Sequence, residues 1–220
     1  MKKALTELVF ILDKSGSMGG LEKDTIGGYN SVLTKQKEVD GECRITTVLF
    51  DDKYELLHDR LDLRAVSPIT EKEYYVGGST ALLDAIGRTI HKIKNVQKNT
   101  ADGYRAEKVM FVIITDGEEN ASREYSSEKI KTQIERQKEK HGWEFIFLAA
   151  NIDAVETARN FGISADRAQN YHADEKGSEV VYASLAKATV AFREAAPGAA
   201  LADDWNAEIQ ADFKERSGKK

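Results

Sequence analysis

Asp13, Ser15 and Ser17 stand at alternate positions on a stretch that also holds Gly16 and Gly19. They follow directly on residues 8–12, Leu-Val-Phe-Ile-Leu, a continuous apolar run of strand length. Such a run suits a strand buried on both faces of a parallel sheet. A carboxylate placed immediately after it is costly to bury unless something compensates the charge. One carboxylate and two hydroxyls at a spacing of two can converge on a single point. All three offer oxygen, the donor preferred by a hard cation such as Mg²⁺. The same residue types also build ordinary turns and cap helices, so these residues alone leave both readings open.

Two further stretches bear on the choice. Residues 109–115, Val-Met-Phe-Val-Ile-Ile-Thr, form a second buried-strand run that ends in Asp116-Gly117. Between the two runs lie residues 77–84, Gly-Gly-Ser-Thr-Ala-Leu-Leu-Asp, a glycine turn leading into a helix. In this order, Asp-x-Ser-x-Ser, Gly-Gly-x-Thr and strand-Thr-Asp-Gly, the chain resembles the von Willebrand factor type A domain over roughly residues 5–195. The resemblance is to the intracellular bacterial type. It implies a metal-ion-dependent adhesion site drawn from all three loops. Ser15, Ser17 and Thr80 would supply hydroxyls; Asp13 and Asp116 would supply carboxylates, partly through water. The implied ion is Mg²⁺ or Mn²⁺, with Ca²⁺ as a further option. The implied role is a non-enzymatic module that binds a protein partner presenting Asp or Glu to the metal.

The competing expectation is a metal-dependent hydrolase or phosphatase using the same cluster. A haloacid-dehalogenase-type phosphatase also opens on a strand followed by Asp-x-Asp, but position 15 is serine. The sequence has no Gly-x-x-x-x-Gly-Lys-Ser/Thr phosphate loop and no Gly-x-Ser-x-Gly nucleophile elbow. His58, His91, His141 and His172 are scattered, and none is near Ser15 or Ser17 in sequence.

The elements that would position these loops alternate between strand and helix. That pattern predicts an α/β fold: a doubly wound, Rossmann-like, mostly parallel sheet with helices on both faces. The family resemblance implies about six strands with one antiparallel edge strand. Residues 45–50 and 54–58 are joined by Asp51-Asp52-Lys53, too short for anything but an antiparallel hairpin, which supplies that edge. His58, at its end, reads as a solvated surface residue. A helix is expected over residues 21–37, with Gly27-Gly28 marking a close approach, expected to be to the sheet. Another opens at Thr80, with Leu82, Leu83, Ile86, Ile90 and Ile93 on its apolar side, and residues 95–107 read as loop. Asp84, one turn beyond Thr80, could bond loop backbone or support the site from behind its ligands, and is not expected to be a ligand itself. Glu118-Glu119-Asn120 read as a solvated loop leading to a Ser126 or Ser127 cap. Further helices are expected to end near His141-Gly142 and Phe161-Gly162, and the last to span residues 175–196. In open sheets of this kind, ligands bind beyond the carboxyl ends of the strands at a switch in strand order, where the loops after residues 12 and 115 fall.

The chain has 220 residues, 41% hydrophobic and 31% charged, a globular rather than disordered composition. Its net charge of −5 gives no electrostatic footprint for nucleic acid. Met1-Lys2-Lys3 before an apolar run imitates a leader, but Thr6 and Glu7 interrupt that run and no small-x-small site follows. No apolar stretch is long enough to span a membrane. Cys43 is the single cysteine, so no internal disulfide can form, and the expected location is cytoplasmic. We expect a domain over residues 1–196 and a C-terminal extension over 197–220. In the extension, Trp205, Ile209 and Phe213 share one helical face, suited to docking in cis, to a partner or to a second copy.

Overall fold

The computed structural model describes residues 5–218; Met1-Lys2-Lys3 and the extreme ends of both expected segments lie outside the described residues. Six strands form one sheet: β1 (Thr6–Asp13), β2 (Cys43–Phe50), β3 (Tyr54–Asp62), β4 (Lys108–Thr115), β5 (Glu144–Ala149) and β6 (Ala168–Asn170). The order across the sheet is β3-β2-β1-β4-β5-β6. β1 pairs in parallel with both β2 and β4, and β5 pairs in parallel with β4 and β6. β3 alone runs antiparallel, at the edge. The strand order reverses between β1 and β4, so the loops that follow these two strands leave the sheet on either side of the switch point.

Alternation along the central strands explains the two layers. Leu8, Phe10 and Leu12 of β1, with Met110, Val112 and Ile114 of β4, face one core. That core is closed by α1 (Glu22–Lys37) and α5 (Glu175–Glu194) through Tyr29, Leu33, Val181 and Leu185. Val9, Ile11, Phe111 and Ile113 face the opposite core. There α2 (Leu82–Asn99), α3 (Ser127–His141) and α4 (Ala154–Asn160) supply Ile86, Ile90, Ile130, Ile134 and Ala158. Each fully buried Leu, Ile or Phe contributes about 1.5–3 kcal/mol relative to exposure.

Local chemistry sets the helix ends as expected. Ser126 accepts from the Lys129 amide to cap α3, and Asp153 accepts from Glu156 to cap α4. Gly142 closes α3 at φ 62°, a left-handed conformation that glycine adopts without strain.

Three expectations are corrected. α2 continues to Asn99, inside the stretch expected to be loop; Thr100 Oγ1 and Arg105 Nε then bond the carbonyls of Val96 and Thr100 at its end. The close approach at Gly28 is to α5 rather than to the sheet: a Cβ there would lie 2.1 Å from the Tyr182 ring. His58 is buried, 9% exposed, because its Nδ1 lies 3.0 Å from Thr47 Oγ1 across the β2–β3 pair and 3.4 Å from the Tyr29 hydroxyl.

The segment after α5 packs on the domain. Leu201, Trp205 and Ile209 belong to the same core cluster as α1 and α5. Trp205 Nε1 donates to the Asp166 carbonyl at 2.8 Å, and Arg167 donates to the Leu201 carbonyl at 2.7 Å. α6 (Ala207–Ser217) then crosses α5, with Phe213 stacked on His172 and Arg216 paired to Asp174.

Candidate metal centre

The sheet delivers Asp13 and Asp116 at the carboxyl ends of its two central strands, on either side of the switch point. Backbone bonds then lace the three loops together. Gly16 N donates to Gly78 O at 3.1 Å, and Gly77 N donates to Lys14 O at 2.9 Å. Asn120 N and Ala121 N both donate to Thr80 O. Gly78 takes φ 74°, and a Cβ there would meet the Asp51–Asp52 turn, so glycine lets the second loop sit against the β2–β3 hairpin.

Residues 99 and 65 positions apart meet as a result. Ser15 Oγ lies 3.1 Å from Ser17 Oγ and 3.0 Å from Thr80 Oγ1. Ser17 Oγ donates to Asp116 Oδ1 at 2.6 Å. Asp13 Oδ1 accepts from the Ser15 amide at 2.7 Å, and its Oδ2 accepts from Thr115 Oγ1 at 2.6 Å. All five residues expected at the site, Asp13, Ser15, Ser17, Thr80 and Asp116, therefore stand together. Ser17 is exposed and the other four are buried, so the cluster has a floor and one open rim.

The electrostatics are unfavourable as the cluster stands. Burial pushes the Asp13 carboxyl up to about 6, against hydrogen bonds from Ser15 and Thr115 that lower it; the neighbouring Asp116 charge adds to the rise. Burial also raises Asp116, opposed by the bond from Ser17. Asp116 Oδ2 is buried and has no hydrogen-bond partner among the described residues. A buried, unpartnered carboxylate oxygen is expensive to maintain.

A further ring of residues, not singled out from sequence, fixes the loops. Glu119, expected in a solvated loop, is half-buried: its carboxylate accepts from the amides of Leu83, Ala121 and Ser122 and from the Ser122 hydroxyl. It thereby joins the third loop to the first turn of α2. Asn120 Oδ1 accepts from the Thr80 amide at 2.9 Å and holds that residue in place. Tyr74 donates to the Asp13 carbonyl at 2.5 Å. Apart from the local bonds of Glu119 to Ala121 and Ser122, these partners lie 36 to 61 positions apart, and nothing local signals them. Asp84 does bond loop backbone, accepting from Arg123, Glu124 and Tyr125 amides. Asn151, with φ 58°, reaches the Asp116 carbonyl and stands at the rim.

No family model and no curated protein matches the sequence. Solved structures do match the fold. Over 86% of this chain, a von Willebrand factor type A protein from Catenulispora acidiphila superposes with a TM-score of 0.58 at 13% identity. The chain has the von Willebrand factor type A fold. The chain is similar in fold to two metal-loaded structures as well. Proximal thread matrix protein 1 from the mussel byssus, with a zinc-occupied MIDAS motif, gives a TM-score of 0.58 at 12% identity over 86% of this chain. The manganese-loaded TRAP protein of Plasmodium vivax gives 0.58 at 18% identity, covering 82% of this chain and 73% of its own. The chain spans less than half the length of the Catenulispora and mussel chains, 43% and 46%.

Proposed function

We propose that this vWA domain is a protein-binding module that holds one divalent cation, Mg²⁺ or Mn²⁺, in the cluster of Asp13, Ser15, Ser17, Thr80 and Asp116. The observation that carries the reading is the spacing of the hydroxyl oxygens, in a cluster whose Asp116 Oδ2 has no partner among the described residues. The Ser15–Ser17 and Ser15–Thr80 oxygens are 3.1 and 3.0 Å apart. Adjacent ligands of an octahedral ion bound at about 2.1 Å are separated by about 3.0 Å. The residues therefore fit a small hard cation, and the ion would offset the two buried carboxylates. The zinc- and manganese-loaded structures of the same fold support a divalent ion.

The chain's own residues divide the work. Ser15, Ser17 and Thr80 present neutral oxygens. Both Asp13 oxygens are already bonded to Ser15 and Thr115, which suits contact through water rather than direct ligation. Asp116 offers its unpartnered oxygen. Gly117 leaves the opening clear, since a Cβ there would lie 3.0 Å from Ser17 Oγ. Neutral hydroxyls and a water-separated carboxylate leave the bound ion incompletely neutralised, so it attracts an anionic oxygen. The partner would supply it as an Asp or Glu side chain. No turnover is proposed.

Titration calorimetry with Mg²⁺ and Mn²⁺ tests the site: wild type should bind one ion and Asp13→Ala should bind markedly less, whereas equal binding would overturn the assignment. Partner capture run in parallel with Mg²⁺ and with EDTA tests the role. Hydrolysis of a generic phosphoester that depends on Asp13 would favour an enzyme instead.

A further inference from the structure

A cleft of about 1280 Å³ opens directly beside the oxygen cluster, with Ser17 and Asp116 in its wall. Its other walls are the first turn of α1, the loop over residues 71–76 and the start of α5. Acidic side chains dominate these walls: Glu22, Asp24, Glu71 and Glu175 line the cleft, and Lys23 is the one cation among the described lining residues. Asp174 also lines it, but Arg216 neutralises that carboxylate. Among the described residues, Asp24, Glu71 and Glu175 have no ion pair.

First-turn acids are ordinary where they complement helix N-termini, and Glu22, Asp24 and Glu175 occupy such positions. Magnitudes decide whether that accounts for them. Each helix N-terminus supplies roughly half a positive charge. Two helix ends and Lys23 offset about two of the four wall carboxylates, which leaves an excess of about two negative charges facing the cleft. The unpartnered, buried Asp116 Oδ2 at the cleft wall is independent of this count and marks the same opening as a place where a ligand completes the structure. Tyr75, 57% exposed on the rim, already holds Lys14 Nζ at 4.2 Å from its ring centre and offers a cation-binding aromatic wall.

We propose that the cleft receives a cationic stretch of the partner, so that the recognised segment is an Asp or Glu with Lys or Arg residues within a few positions of it. This rests on the metal-dependent reading given above and specifies its partner. A uniformly acidic segment would be attracted by the ion and repelled by the walls. A carboxylate flanked by cations satisfies both, and like-charge repulsion excludes the alternative.

The test uses three synthetic nonapeptides on the full chain: a central Asp flanked by Lys, a central Asp flanked by Ser, and a central Asn flanked by Lys. Binding is followed by amide NMR shifts at residues 19–24, 71–76 and 173–175, with Mg²⁺ and with EDTA. The Lys-flanked Asp peptide should bind about tenfold or more tightly than the Ser-flanked one, with an advantage that shrinks as salt is added. Asp24→Lys and Glu71→Lys, both outside the metal set, should remove that advantage and leave Mg²⁺ affinity unchanged. Equal binding of the two Asp peptides in Mg²⁺ would overturn the cationic-partner inference while leaving the metal reading intact. Equal binding of the Asn and Asp peptides, unaffected by EDTA, would overturn the coupling of cleft to metal. Binding by none of the three would overturn the inference outright.

Discussion

The two ends of the sheet bury charge in opposite ways. At the amino end, Glu7 is fully buried and takes two bonds from Arg60 Nε, at 2.8 and 3.0 Å. Lys108 Nζ donates to the carbonyls of Phe192, Arg193 and Ala195 and closes the last turn of α5. Arg193 in turn donates to the carbonyls of Gln36, Val39 and Gly41 and closes α1. These charges are answered by partners within the chain. At the carboxyl end, Asp13 and Asp116 face neutral hydroxyls and each other's charge, and one buried oxygen has no partner. Equal burial thus serves two purposes. The amino end spends its charges on holding helix ends to strands. The carboxyl end leaves charge for something outside the chain to complete.

The sharpest way to break this comparison is at the amino end. Arg60→Ala leaves Glu7 buried without its cation, and we expect a loss of about 3–5 kcal/mol in denaturant unfolding. Replacing both partners, Glu7→Leu with Arg60→Met, should recover most of it. A loss well under 1 kcal/mol for the single variant would show that the amino end is not a structural lock.

Removing the C-terminal segment after Ala196 tests whether the lock extends beyond α5. Trp205, Leu201 and Ile209 leave the core with it, and loss of a single buried aromatic costs about 3–5 kcal/mol, reduced here because the hydrophobic surface is at a domain edge. Thermal melts should show a clear fall, while calorimetric Mg²⁺ binding persists. An unchanged melt would leave the segment without a stabilising role.

At the carboxyl end the sign should reverse. Asp116→Asn removes a buried charge, so in EDTA the variant should match or exceed wild type by up to about 1 kcal/mol, with metal binding lost. Destabilisation comparable to Arg60→Ala would erase the distinction between the two ends. Thr80→Ala keeps both carboxylates; it should weaken partner capture more than metal binding, because the hydroxyl sets geometry rather than charge.

The smallest effect expected is from His58, midway between the ends. Burial lowers its pKa, with the Glu73 charge opposing. The unfolded chain therefore binds a proton that the folded chain does not. Stability contributed by the neutral ring is present above about pH 6.5 and is lost as pH falls through the depressed folded value. The slope cannot exceed about 1.4 kcal/mol per pH unit for one proton. Chemical denaturation across that range should show the slope in wild type and not in His58→Gln.

The sequence by itself determined the frame. Unbroken apolar runs at residues 8–12 and 109–114 suit strands buried on both faces, and the three-residue link after Phe50 is too short for anything but an antiparallel hairpin. The expected set of site oxygens came from the family resemblance, carried by three short motifs at two strand ends and a glycine turn. Tertiary structure decided what those oxygens face. Asp13 is held by Thr115, Thr80 by Asn120, and the third loop, through Glu119, by the Leu83 amide of α2, across separations of 102, 40 and 36 residues. Local pattern records a residue's type and its near neighbours, and these roles depend on distant partners. The same limit made His58 look solvated, made Gly28 seem to meet the sheet, and left the C-terminal segment with three open roles. For Lys108 and Arg193, the packing of α1 and α5 onto the sheet brought helix-end carbonyls to buried cations, and burial made those bonds necessary.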